Sequence, residues 1–165
     1  MTEPIRIVLT GGVSGGHTFP LIAVAERIAV QTGGNAEFLF IGPKGRFGAS
    51  VMEERGIPVR LVSTGKLRRY FSLTNFVDPF RIPLGIIQSL WHLYQFMPDA
   101  VFSKGGSASV PVVIAAWLYR IPVLIHDSDA VAGMANKFMS RFATKIAIAY
   151  PRAREGVPAE KVALT

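Results

Sequence analysis

The chain has 165 residues, with 18 Lys and Arg against 11 Asp and Glu, three His, no Cys, and half of its residues apolar. At roughly 100–200 residues per domain this is one domain with enough apolar content to bury a core, which excludes a disordered chain. Without cysteine there is neither a disulfide scaffold nor a thiolate metal site, as expected for a reducing, cytoplasmic compartment.

The first element is the apolar run Ile5–Leu9, read as a strand. It is too short for a signal peptide, and Met1–Glu3 lacks a basic lead. A glycine-rich turn, Thr10-Gly-Gly-Val-Ser-Gly-Gly-His17, follows. A helix is expected next, with Thr18 as N-cap, Pro20 in the first turn, and Leu21, Val24, Ala25 and Ile28 spaced i, i+3, i+4, i+7. Strands are expected at Glu37–Ile41, Val59–Val62, Ala100–Phe102, Val123–Ile125 and Lys145–Ala149, and helices at Asp78–Met97, Val110–Tyr119 and Met134–Phe142. Alternation of this kind predicts an α/β fold, a Rossmann-like, doubly wound, mainly parallel sheet with right-handed crossovers. Ligands of such sheets bind beyond the carboxyl ends of the strands. Pro151–Thr165 is richer in proline and charge and reads as a linker or the start of another element.

The loops after the strands carry the candidate chemistry. Glycines in the first turn admit a ligand close to the backbone, and a helix N-terminus offers free N–H groups to an anion or a hydroxyl. The same turn also fits an ordinary strand-to-helix connection. Its spacing departs from the dinucleotide fingerprint, and Ile41 leads into Gly42-Pro-Lys44 with no acidic residue for a ribose, which argues against a nicotinamide cofactor. His17 is placed to act as a general base, or simply to pack against the loop. The fourth strand leads into a second glycine-rich turn, Ser103-Lys-Gly-Gly-Ser-Ala-Ser-Val-Pro111, and two such turns pointing one way build a crevice. After the fifth strand stand His126-Asp-Ser-Asp129, Gly133 and Asn136. The Asp127-x-Asp129 pair has the form of a metal-binding DxD, and equally of a turn or helix cap. His92, among polar neighbours, is expected to be solvated.

The charge of +7 is uneven: Lys44 to Arg81 holds eight basic residues against Glu53, Glu54 and Asp78. Such a stretch points to an anionic partner. On a helix over Asp78–Met97, Arg81, Gly85, Gln88, His92 and Gln95 form a polar stripe. Phe80, Leu84, Ile87, Trp91 and Tyr94 form one apolar stripe, and Ile82, Ile86, Leu90, Leu93 and Met97 a second. A helix on a sheet needs one apolar face, so the other is left for a protein, an apolar ligand or lipid. Just upstream, Lys66-Leu-Arg-Arg-Tyr-Phe71 interleaves basic and aromatic residues, as on a segment docking to anionic headgroups. A buried helix beside a solvated basic loop is the plainer alternative. No nucleic-acid motif accompanies the charge, so no nucleic-acid partner is expected. The uncharged stretch Ile82–Pro98 is too short and too interrupted to span a bilayer.

Taken in order, four motifs resemble one family. Gly12-Val-Ser-Gly-Gly-His17 with Pro20 resembles GGTGGHxxP, and Gly105-Gly-Ser-Ala-Ser109 with Pro111 resembles GGYxSxP. His126-Asp-Ser-Asp129 resembles HEQN, and Gly133 with Asn136 supplies the following GxxN. The family is that of the MurG-like UDP-N-acetylglucosamine transferases, glycosyltransferase family 28, of GT-B fold. The resemblance implies that residues 1–150 are a Rossmann-like acceptor-binding domain. It implies that residues 151–165 begin a linker to a donor domain outside this chain. It further implies transfer of GlcNAc from UDP-GlcNAc to a lipid-linked sugar acceptor, with no cofactor and no obligatory metal, on the inner face of the cell membrane, and no activity in the isolated lobe. A natural stand-alone anchor subunit, like one half of the eukaryotic split transferase, is the alternative. Carried over by position, His17 and Asp127 are catalytic candidates. Ser14, Gly15, Gly16, Gly105, Gly106, Ser107, Asp129 and Asn136 are substrate-binding candidates, and Lys66, Arg68, Arg69, Phe76, Phe80 and Trp91 are membrane-docking candidates. Asp129 stands where the family carries Asn, and Ser107 where it carries Tyr.

Overall fold

The computed structural model describes residues 3–12, 14–65 and 78–165, the side chains of Arg46 and of residues 78–80 excepted. In chain order the elements are β1 (Ile5–Thr10), α1 (Gly15–Gln31), β2 (Ala36–Pro43), α2 (Arg46–Glu54), β3 (Val59–Val62), α3 (Asp78–Phe96) and β4 (Ala100–Ser103). They continue with a 3-10 turn (Ser107–Ser109), α4 (Val110–Leu118), β5 (Val123–Asp127), α5 (Met134–Met139), β6 (Lys145–Ile148), two further 3-10 turns and β7 (Val162–Leu164).

Seven parallel strands form one sheet in the order β3-β2-β1-β4-β5-β6-β7. The expected α/β, doubly wound parallel architecture is the one observed. Strands covered on both faces read as continuous apolar runs, which is why Val8, Leu9, Phe40, Ile41 and Ile125 are fully buried. On one face Ile7, Leu9 and Phe40 pack with Leu21, Ile22 and Ala25 of α1 and with Met52 of α2. On the other, Val8, Ile41, Val101 and Ile125 pack with Leu93 of α3, Val112 and Val113 of α4, and Met139 of α5. Burying a side chain such as Leu93 contributes about 1.5–3 kcal/mol.

Three expectations are corrected. The N-cap of α1 is Ser14, not Thr18. The helix starts on the glycines, the Ser14 carbonyl accepts from His17 N and Thr18 N at 3.0 and 2.9 Å, and Thr18 is buried within the helix. Pro20 is therefore the sixth residue of the helix and not in its first turn, and the Gly16 carbonyl forgoes an intrahelical donor there.

The middle of the polar stripe of α3, from Gly85 to His92, turns inward, while Arg81 and Gln95 at its ends are exposed. Gly85 is buried, and a Cβ there would collide with the Ser63 carbonyl, so its hydrogen side chain lets α3 approach the end of β3. Gln88 Oε1 accepts from Ser63 N at 2.7 Å. His92 is half-buried with its Nδ1 unpartnered, not solvated. Burial, then the Arg60 charge, lower its pKa, and a hydrogen bond with Gln95 opposes the shift.

The segment from Pro151 is structured. It turns through Pro151–Arg154 and Ala159–Lys161, and Val162–Leu164 then extends the sheet beside β6, with Ile146 opposite Val162. The sheet thus runs past residue 150. Lys161 Nζ fixes this return by donating to the Ser140 and Arg141 carbonyls at 3.2 and 3.0 Å.

Candidate functional site

The strand order reverses direction between β1 and β4, and the loops leaving these strands diverge there into a crevice. The two glycine-rich turns lie side by side, with Lys104 N donating to the Thr10 carbonyl at 2.9 Å. Together with the loop after β5 they enclose a cleft of about 290 Å³. Of the residues expected at a site, Ser14, Gly16, His17, Gly106, Asp127, Asp129 and Asn136 line it. Gly15, Gly105 and Ser107 are outside its lining. Lys104 and Ser128, which the sequence reading did not single out, are part of it.

One amide braces two of the three loops. Asn136, in the first turns of α5, donates Nδ2 to Asp127 Oδ2 at 2.7 Å and accepts from Gly106 N on Oδ1 at 3.1 Å. The other oxygen of Asp127 accepts from Asp129 N at 3.0 Å, closing an Asx turn. Asp127 is thus buried with both carboxylate oxygens occupied, as a buried charge requires. Gly105 and Gly106 adopt φ of 84° and 87°, and a Cβ on Gly105 would overlap the Asn136 amide. Glycine is the residue that satisfies both constraints at that point. Ser103 Oγ accepts from Gly105 N at 3.1 Å, and Ser109 Oγ donates to the Gly105 carbonyl at 3.0 Å, fixing the turn from beneath.

His17 stands half-buried in the first turn of α1, packed so closely on the loop that a Cβ at Gly12 would come within 2.8 Å of its Cδ2. Its Nδ1 is buried without a hydrogen-bond partner. Burial lowers its pKa, and the nearby Lys104 ammonium lowers it further; the Lys104 backbone and the Asp129 and Asp127 carboxylates pull the other way. The net direction is downward, so the imidazole is neutral near pH 7 and able to accept a proton.

His126 departs from expectation. Alternation along β5 turns it away from Asp127, and it stacks on Phe102 with ring centroids 6.5 Å apart. It lines an apolar groove beside α1 with Ile7, Phe102 and Leu124, not the cleft. Its pKa is lowered by burial and then by Lys104, with Asp127 opposing.

Of the membrane-docking candidates, Lys66, Arg68, Arg69 and Phe76 lie outside the described residues, as does the Phe80 side chain. Trp91 is 59% exposed and continues a stripe with Leu84, Ile87 and Tyr94, its ring 6.3 Å from that of Tyr94. The second stripe turns inward through Ile86, Leu90 and Leu93, except that Met97, beyond the helix end, is exposed. No helix among the described residues is long and apolar enough to cross a membrane.

Comparison with known proteins agrees with this architecture. A Bacillus cereus UDP-N-acetylglucosamine--N-acetylmuramyl-(pentapeptide) pyrophosphoryl-undecaprenol N-acetylglucosamine transferase is 42% identical over 160 residues, covering 97% of this chain and 45% of that protein. A Legionella pneumophila transferase of the same name is 47% identical over 144 residues, 87% of this chain and 39% of that protein. The chain spans about half the length of these relatives. The crystal structure of Acinetobacter baumannii MurG superposes with a TM-score of 0.80 at 28% identity, over 98% of this chain and 46% of that one. A Rickettsia africae glycosyltransferase, at 12% identity and TM-score 0.71 over 99% of this chain and 43% of that one, shares the fold. Residues 7–148 match the glycosyltransferase family 28 N-terminal domain, and the chain belongs to that family.

Proposed function

We propose that this chain is the acceptor-binding lobe of an inverting glycosyltransferase that moves GlcNAc from UDP-GlcNAc to a lipid-linked sugar acceptor, the lipid I to lipid II step of peptidoglycan synthesis. The observation that carries the reading is a neutral His17 at the mouth of a cleft walled by two glycine turns. The names of the relatives supply the substrate class.

On this reading the acceptor's sugar hydroxyl attacks the anomeric carbon of the donor. The new C–O bond forms as the bond to the UDP oxygen breaks, and His17 takes the hydroxyl proton. Asp127, with its two oxygens taken by Asn136 and Asp129 N, acts by holding Asn136, and through it the Gly106 turn. The first α1 turn faces the sugar or phosphate through Gly16. The donor binds mainly to a second lobe outside these 165 residues, so this lobe alone is inactive. The stripe Leu84, Ile87, Trp91 and Tyr94, with Lys66, Arg68 and Arg69, docks on the anionic cytoplasmic face of the membrane.

The test is transferase activity of the chain joined to a donor lobe. His17→Ala is expected to lower kcat about 10²-fold or more. Unchanged turnover removes His17 from the mechanism, and full activity of the 165-residue chain by itself overturns the half-enzyme reading.

A further inference from the structure

The cleft holds a cation that nothing so far has used. Lys104 is only 5% exposed, its stem running beside Gly11 and its Nζ donating to Ser128 Oγ at 2.8 Å. An ammonium has three donors, and one hydroxyl takes one of them. Among the described residues the ion pair is that of Arg55 with Glu26, far from the cleft in sequence, so Lys104 has no carboxylate in contact. Asp127 is committed to Asn136 and Asp129 N. Asp129 lines the same cleft but is outside ion-pairing distance.

A buried charge left with a neutral partner is costly unless a counter-charge arrives. The N-terminus of α1 opens on the same space, with no acidic residue in its first turn, and its dipole adds to the Lys104 charge against the Asp127 and Asp129 carboxylates of the lining. At about 290 Å³ the cleft is at the lower limit of whole-ligand pockets, a size suited to a headgroup.

We propose that Lys104 is the specificity-determining cation of this lobe: it exchanges the Ser128 hydroxyl for a phosphoryl oxygen and so anchors the diphosphate of the lipid-linked acceptor. This rests on the acceptor-lobe reading above. The diphosphate then lies beside His17, which sets the acceptor sugar within reach of the base. Until ligand binds, the same positive charge opposes protonation of His17. One side chain thus selects the anionic acceptor and keeps its base neutral.

Diphosphates come from two sources, a lipid-linked sugar and a nucleotide, and titration calorimetry of the 165-residue chain separates them. The ligands are inorganic pyrophosphate, a short-chain, water-soluble prenyl-diphosphate sugar, and UDP. Lys104→Met is expected to weaken binding of the first two about 10-fold or more, with Lys104→Arg restoring most of it. UDP is expected to bind more weakly than the prenyl-diphosphate sugar. Equal binding by the unmodified chain and Lys104→Met overturns the role of Lys104 and leaves the acceptor reading standing. UDP as the tightest and most Lys104-dependent ligand overturns the acceptor assignment. Failure of the unmodified chain to bind the prenyl-diphosphate sugar overturns both. Should Lys104→Met not fold, the Nζ resonance of Lys104 in the unmodified chain decides: it is expected to shift on adding pyrophosphate, and its constancy sinks the proposal. In a folded Lys104→Met variant the His17 ring should titrate at higher pH, a change that a packing role would not produce.

Discussion

Asn136 Nδ2 donates to Asp127 Oδ2 at 2.7 Å, and this single bond ties the start of α5 to the end of β5. Because the same amide accepts from Gly106 N, truncating it strands the buried Asp127 carboxylate oxygen and the half-buried Gly106 N–H at once. Asn136→Leu is expected to cost about 2–4 kcal/mol, since an unpaired buried acceptor or donor costs about 1–3 kcal/mol and a charged one more. Urea denaturation measures this, and a loss below about 0.5 kcal/mol would show that the brace is dispensable.

Gly85→Ala tests the contact of α3 with β3. Alanine is ordinarily the better helix former by about 1 kcal/mol. Here its methyl would overlap the Ser63 carbonyl and approach Pro111 Cγ to 3.1 Å, so the variant should be destabilised by about 1–3 kcal/mol. A stabilised Gly85→Ala would mean that α3 sits farther out.

Acid should weaken the fold through its histidines. His17, His92 and His126 all lie below the ordinary imidazole value of 6.5, each chiefly through burial. As pH falls through 6.5 towards those lower values, the unfolded chain takes up protons that the folded chain refuses. Stability is therefore full above that value and declines below it. Ring-resonance titration by NMR should place all three midpoints under 6.5, and a His17 midpoint above it contradicts the environment described.

The exposed stripe of α3 makes a membrane prediction. Ile87→Glu with Trp91→Glu should weaken binding to vesicles containing anionic lipid about 10-fold or more, as loss of buried apolar area and added negative charge act together. The Trp emission of the unmodified chain should shift to the blue on vesicles. Identical partitioning of mutant and unmodified chains rules this face out as the docking surface.

Strands were legible because runs such as Ile7–Leu9, buried between the helical layers, carry the apolar residues that a doubly covered parallel sheet requires. The helix α2 left little trace, since among its described side chains Met52 is the one large apolar group that is fully buried. The strand β7 was hidden behind proline and charge, its pairing owed to the return that Lys161 fixes, which no local pattern encodes. At the cleft, glycines and His17 stood out because their spacing is itself the constraint. Lys104 did not, because a lysine in a glycine turn reads as solvated until the parallel register of β4 on β5 sets it against Ser128. Gly85 and His92 misled for the complementary reason: residue type says polar, whereas the close approach of α3 makes them interior.

An all-parallel sheet contains no hairpin, so every strand pair must be closed across an intervening segment. His17 and Asn136, from loops near opposite ends of the chain, meet only after β1, β4 and β5 have all docked. The cleft therefore exists only where these three strands are paired. A ligand bound there should protect the backbone amides of the whole sheet from exchange together, and not merely those of the loops that touch it.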